Sequence, residues 1–254
     1  MSKKIDRLSL ELPSDVFGVL REFLTANEFI ELSHVSKSIY METKPHKFYY
    51  MNRSLSLEFC FDEYFREIVR STILRDKQLS LNLSERDNVV DVSALGGVHT
   101  LTLCGCDNVV DVSALGRVHN LSLGDCNVTD VNALGSVHTL NLSGCRNVVD
   151  VSALGGVHSL VLVCCVNVSD VSALGRVHNL NLTRCRNVVD VSALGGVHTL
   201  SLNCCDNVSD VSALGGVHSL DLSGCFNVTD VSALSRVNIL YLNGCNVSDD
   251  GTNN

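Results

Sequence analysis

Residues 88–107 read NVVDVSALGGVHTLTLCGCD, residues 108–126 read NVVDVSALGRVHNLSLGDC, and residues 127–146 read NVTDVNALGSVHTLNLSGCR. The phrase keeps returning, with Asp91, Asp111, Asp130, Asp150, Asp170, Asp190, Asp210, Asp230 and Asp249 marking its register. The step is 20 residues, shortened to 19 by one missing residue after Cys126 and again after Cys245. Within one copy the apolar positions are Val98, Leu101, Leu103, Cys106, Val109, Val112 and Leu115. Leu101 and Leu103 alternate as a strand with one buried face does, and the others fall at turn spacings. A chain patterned this way coils round and returns to its own core. One coil cannot close that core alone, so each must stack on its neighbours. Stacking lines up nine Leu-x-Leu segments, from Leu81-Asn82-Leu83 to Leu240-Tyr241-Leu242, into a parallel sheet.

The return stretch Asp111-Val112-Ser113-Ala114-Leu115-Gly116 is too short for a full helix and fits a single 3₁₀-like turn or an extended segment. Asp111 is placed to accept backbone N–H groups two or three residues on. Gly116 is expected to relieve backbone strain on the way back into the strand.

The fixed 20-residue period with L-x-x-L-x-L-x-x-C resembles the leucine-rich-repeat family over roughly residues 78–250. The resemblance implies an α/β chain: a leucine-rich-repeat solenoid with its parallel β-sheet on the concave face, preceded by a small all-α head. The domain plan is a helical head at 8–50, a connector at 51–77 and the solenoid at 78–254. The near-identical copies also resemble repeat proteins of large DNA viruses.

Charge sorts along the same boundary. Residues 1–80 hold twelve Lys/Arg and twelve Asp/Glu. Residues 81–254 hold seven Arg, no Lys and sixteen Asp/Glu, and so carry the whole net charge of −9. An acidic surface read as lacking basic clusters repels phosphate backbones and argues against nucleic acid. No stretch reaches the roughly 18 apolar residues of a membrane span. The start MSKKIDRLSLELP has no apolar core of a signal peptide, which points to a reducing, cytoplasmic or nucleocytoplasmic setting. There the twelve Cys read as free thiols, and Asn-Val-Ser/Thr triplets such as Asn127-Val128-Thr129 carry no glycosylation meaning.

Repetition stacks like residues, and three stacks resemble chemistry. Cys106, Cys126, Cys145, Cys165, Cys185, Cys205, Cys225 and Cys245 share one register. Zinc needs clustered pairs, whereas these lie a coil apart, so they read as small buried residues at the bend after the strand. His99, His119, His138, His158, His178, His198 and His218 share another, read as exposed or half-exposed residues at the strand entrance, with chelation of a transition metal as the lesser reading. The Asp ladder reads as capping, because the Gly-rich calcium repeat is absent. Every such group recurs equivalently, while an active site needs asymmetric groups that converge. No enzyme, metal or cofactor is expected.

The copies differ where side chains leave the strand outward. Between the leucines stand Thr102, Ser122, Asn141, Val161, Asn181, Ser201, Asp221 and Tyr241. Among small neutral residues on this face, Val161, Val163, Arg184, Asp221, Ile239 and Tyr241 are the bulky or charged exceptions and the candidate contacts for a protein target.

The head differs again. Pro13 suits a first helical position, with Val16, Leu20, Phe23 and Leu24 on one stripe; Asn27 precedes a second stripe of Ile30, Leu32, Val35 and Ile39. Two such helices cannot bury a large core alone. Leu12-Pro13, Asp15-Val16, Val19-Leu20, Leu24, Glu28-Phe29, Leu32 and Val35-Ser36-Lys37 resemble the F-box pattern in order; Ile39 departs where an aromatic is usual. The resemblance implies docking to a Skp-type linker subunit of a cullin–RING ubiquitin ligase through Leu12, Pro13, Val16, Leu20, Leu24, Leu32 and Val35. A substrate-recognition adaptor follows from head and repeats together. The other reading is a free-standing interaction or decoy protein whose head only caps the solenoid.

Overall fold

A computed structural model describes residues 48–51, 53–72 and 78–247, and the chain divides into two compact units, 1–81 and 82–254. Each is taken by itself. The helices expected at 8–50, with Leu12, Pro13, Val16, Leu20, Leu24, Leu32 and Val35, lie outside the described residues.

In the first unit, β1 (Phe48–Tyr50) pairs parallel with β2 (Gln78–Asn82), Tyr49 opposite Leu79. Between them run α1 (Arg53–Phe61) and α2 (Glu63–Thr72). Asp62 starts α2 by accepting the Phe65 N–H at 2.9 Å, which satisfies one of the orphan donors of a helix N-terminus. Phe65 and Val69, four residues apart on one stripe, are buried with Phe59. Arg66 donates to the Phe59 carbonyl at 3.1 Å and so satisfies the end of α1, while the Arg70 guanidinium lies 5.7 Å from the Phe59 ring centre.

The second unit is the solenoid. Its three-residue strands are β3 (Thr100–Thr102), β4 (Asn120–Ser122), β5 (Thr139–Asn141), β6 (Ser159–Val161), β7 (Asn179–Asn181), β8 (Thr199–Ser201), β9 (Ser219–Asp221) and β10 (Ile239–Tyr241). Each pairs parallel with the next, in register through the first strand leucine: Leu101, Leu121, Leu140 and onward to Leu240. With β2, these are the nine strands expected from the repeat. Pairing continues past each strand: Leu123 and Asp125 donate to the carbonyls of Asn141 and Ser143 at 2.8 and 2.7 Å. The seven apolar positions read from one copy, Val98 to Leu115, are each no more than 2% exposed.

The return stretch is a 3₁₀ turn, such as Ser113–Arg117. Asp111 accepts the Ser113 N–H at 2.9 Å, an Asx-type turn one residue ahead of the helical cap itself. Gly116 serves a different purpose from the one expected. Its backbone is not in the left-handed region; instead, a Cβ there would meet the Ala133 carbonyl oxygen of the next coil at 2.2 Å. Glycine is required because two backbones touch. The left-handed position lies elsewhere, just before each ladder cysteine and before Arg86 in the first coil, where Gly105, Gly144, Gly224 and Gly244 share the register with Glu85, Asp125, Cys164, Arg184 and Cys204.

Candidate functional site: the strand face and its rim

Each ladder thiol completes the core. Cys145 Sγ donates to the Leu123 carbonyl at 3.0 Å, and Cys106, Cys126, Cys165, Cys185, Cys205, Cys225 and Cys245 repeat that bond one coil back at 2.9–3.1 Å. Burial pushes the thiols of Cys126, Cys185 and Cys225 up to about 12 and that of Cys145 up to about 11; Cys165 and Cys205 move further the same way. Thiols held protonated like this are poor nucleophiles and poor metal ligands.

The histidines form an outer stack. Consecutive rings from His99 to His218 lie 4.6–4.7 Å apart, and from His119 onward the planes diverge by at most 11°. His99 is half-buried and the other six are exposed. Rings stacked flat aim their lone pairs side by side instead of converging, and no group of three His, Cys, Asp or Glu able to hold a metal occurs among the described residues. Desolvation, then the charges of the neighbouring rings, lower the His138 and His178 pKa values.

The Asp ladder is bound into turns. Hydrogen bonds from the serine two residues on hold Asp111, Asp150, Asp170, Asp190, Asp210 and Asp230 below the usual carboxylate range. The asparagines of the Asn-Val-Ser/Thr triplets also have a structural use. The Nδ2 groups of Asn127, Asn167, Asn207, Asn227 and Asn246 donate to a carbonyl of the preceding coil at 2.7–2.9 Å.

The strand face is therefore the part of the solenoid that is not fully committed to the scaffold. Much of it is polar and bonded to itself. Asn141 Nδ2 donates to Ser122 Oγ at 3.2 Å while its Oδ1 accepts the Ser143 N–H, and Thr183 and Ser201 hydroxyls meet at 3.1 Å. Asp221 accepts the Ser223 N–H at 2.9 Å. The six candidate residues separate into two places. Val161, Val163 and Arg184 belong to adjacent coils at β6 and β7. Asp221 pairs directly with Tyr241, and Ile239 shares β10 with Tyr241, at the far end. Ile239 and Tyr241 are 44% and 52% exposed, whereas Val161 and Val163 are half-buried. The two groups are not one site.

Folding also gathers residues that the sequence reading passed over. The residue after the ladder cysteine, missing only in the two shortened coils, forms its own register on the rim: Asp107, Arg146, Val166, Arg186, Asp206 and Phe226. Together with Arg184 this places three of the seven arginines of residues 81–254 on two coils that flank a third, which corrects the expectation of a surface without basic clusters. Arg186 is ion-paired to Asp206 at 3.4 Å. The variation of this register from copy to copy is the sequence signal that marks it.

No protein-family model matches the chain, and no curated protein matches its sequence. Solved structures do resemble it. The internalin InlF of Listeria monocytogenes is 19% identical, with a TM-score of 0.52 over 72% of this chain and 64% of that one. This chain thus spans less than two thirds of that structure. The internalin InlC2 of the same organism is 22% identical (TM-score 0.43, covering 59% and 83%). A leucine-rich-repeat protein of Leptospira interrogans is 14% identical (TM-score 0.41, covering 67% and 55%). At these identities the likeness concerns architecture, and it agrees with the geometry: the fold of the second unit is a leucine-rich-repeat solenoid.

Proposed function

We propose that this protein is a non-catalytic, protein-binding adaptor whose repeats hold a target on the strand face and whose head docks a Skp-type linker of a cullin–RING ligase. The observation that carries the target-binding half is the division of labour among positions. Ladder Cys, Asp and Asn are spent on bonds between or within coils, while the strand-facing residues vary from copy to copy. The F-box-like order of Leu12, Pro13, Val16, Leu20, Leu24, Leu32 and Val35 supports the docking half, and the reading puts the protein in the cytoplasm or nucleus.

A specific observation favours the second reading, a free-standing interaction protein. β1, at the trailing end of the expected head, pairs with β2. A segment that closes a strand edge has the character of a cap.

The target-binding half is tested by identifying proteins cross-linked to the full chain and comparing strand-face variants (V161D/V163D, I239S/Y241S) with an outer-surface variant, Val149→Asp. Partners lost only from strand-face variants support the reading. Equal retention in all variants contradicts it.

A further inference from the structure

We infer that the rim beside β5–β7 is a binding site for an extended acidic peptide with an apolar side chain between its carboxylates. This rests on the protein-binding reading and deepens it by naming the partner's chemistry. Arg146 and Arg186 occupy the same register two coils apart, with Val166 between them. At ~4.8 Å per strand their backbones are separated by about 10 Å. In an extended peptide alternate side chains share a face, so acidic residues four apart, about 13 Å along the strand, lie on one face with the side chain midway between them. The length of the arginine side chains takes up the difference from about 10 Å, and the midway side chain lies over Val166, which is 36% exposed.

The coil under the peptide is the most apolar one at this rim. It presents Val161, Val163, Cys164 and Val166, where neighbouring coils present mostly Asn, Ser, Thr and Arg. Guanidinium groups stand on both sides, from Arg146 on one coil and from Arg184 and Arg186 on the other. Asp206 offsets one of the three charges, and Asp125, whose carboxylate lies over Gly144 on the coil of Arg146, offsets a second. The remaining excess is positive on a unit that is otherwise acidic, so an anionic partner is drawn to this rim and repelled elsewhere.

The backbone beneath the arginines is fixed before any ligand arrives. The Arg146 carbonyl accepts Asn167 Nδ2 and the Arg186 carbonyl accepts Asn207 Nδ2, each at 2.7 Å, while the Arg184 N–H donates to the Asn203 carbonyl at 2.8 Å. Anchors on rigid backbone lose less entropy on binding. Arg184 and Cys164 also hold the left-handed conformation at φ 61° and 59°, which glycine fills in other coils. A side chain is kept there at a cost that glycine avoids.

The test is fluorescence anisotropy with the full chain and a labelled peptide of three Glu-Gly-Val-Gly repeats, against its Lys-Gly-Val-Gly counterpart and a twelve-nucleotide oligothymidylate. The expected result is saturable binding of the Glu peptide alone, weakened about tenfold or more in R146Q/R186Q and also by added salt. Arg184→Gly relieves the left-handed backbone and is expected to keep the fold; it too is expected to weaken binding. Equal binding of the Glu and Lys peptides, no effect of the arginine variants, or no binding of the Glu peptide overturns the proposal. Arginine-dependent binding of the oligonucleotide in preference to the peptide overturns it in favour of a phosphate ligand. The strand-face variant I239S/Y241S lies at the far end of the sheet and leaves this rim untouched. Partners lost from I239S/Y241S, with the Glu peptide unbound by the unaltered chain, therefore remove this proposal and leave the protein-binding reading intact.

Discussion

The Sγ of Cys165 donates to the carbonyl oxygen of Leu142, 3.1 Å away in the preceding coil, and the same oxygen accepts the backbone N–H of Cys145 at 3.0 Å. Both lone pairs of a buried carbonyl are thereby used, one within its coil and one between coils. A ladder cysteine thus bonds adjacent coils as well as filling space. Cys165→Ala is expected to cost about 2 kcal/mol, from lost packing together with an acceptor left short of one partner. Urea unfolding measures it; a change below about 0.5 kcal/mol contradicts the assignment.

The same assignment predicts chemical selectivity. In the native protein a thiol reagent should spare the buried cysteines at 106, 126, 145, 165, 185, 205 and 225 and modify the half-exposed Cys104, Cys164 and Cys204. Peptide mapping after brief alkylation distinguishes the two sets, and modification of the buried ladder at the rate of Cys164 refutes it.

Two glycine-related substitutions should move stability in opposite directions. Gly116→Ala drives a methyl group into the Ala133 carbonyl and must separate two coils, so a loss of about 3 kcal/mol or more is expected. Cys204→Gly, at φ 57°, should instead raise stability by up to about 1 kcal/mol. Denaturant midpoints decide both, and a stabilising Gly116→Ala would show that the coils are less closely apposed.

The histidine stack sets a pH dependence. The folded-state pKa values of His138 and His178 lie below the ordinary value, mainly through desolvation and then through their stacked neighbours. The unfolded chain therefore takes up protons first as the pH falls. This contribution to stability is whole above about pH 6.5 and is lost as the pH falls through the lowered folded values. Denaturant midpoints should drop between pH 8 and pH 5, and H138Q/H178Q should flatten the drop. A midpoint that rises over that range contradicts the sign.

Much of the solenoid was legible in the sequence because each coil repeats the same instruction. Leu101 and Leu103 gave the strand, Asp111 gave the turn, and eight cysteines in one register gave the buried bend. The role of Gly116 was not legible, because a contact between coils is invisible in the alternation within one coil. The asparagine bonds were missed for the same reason: Asn167 and the Arg146 carbonyl are 21 residues apart and meet only after stacking. Of the candidate face, the exposure of Ile239 and Tyr241 followed from position, but the distance separating them from Val161 and Val163 required the strand order. Arg146 and Arg186 went unnoticed because they stand 40 positions apart in sequence and only the coil count brings them onto one rim.

The adaptor reading is tested most directly by titrating the full chain into a purified Skp-type linker subunit in a calorimeter. It predicts a one-to-one complex at micromolar affinity or tighter, with L12A/P13A weakening it by at least ~2 kcal/mol, as truncation of buried interface anchors does. No heat of binding at micromolar concentrations, or an affinity unchanged in L12A/P13A, would contradict it.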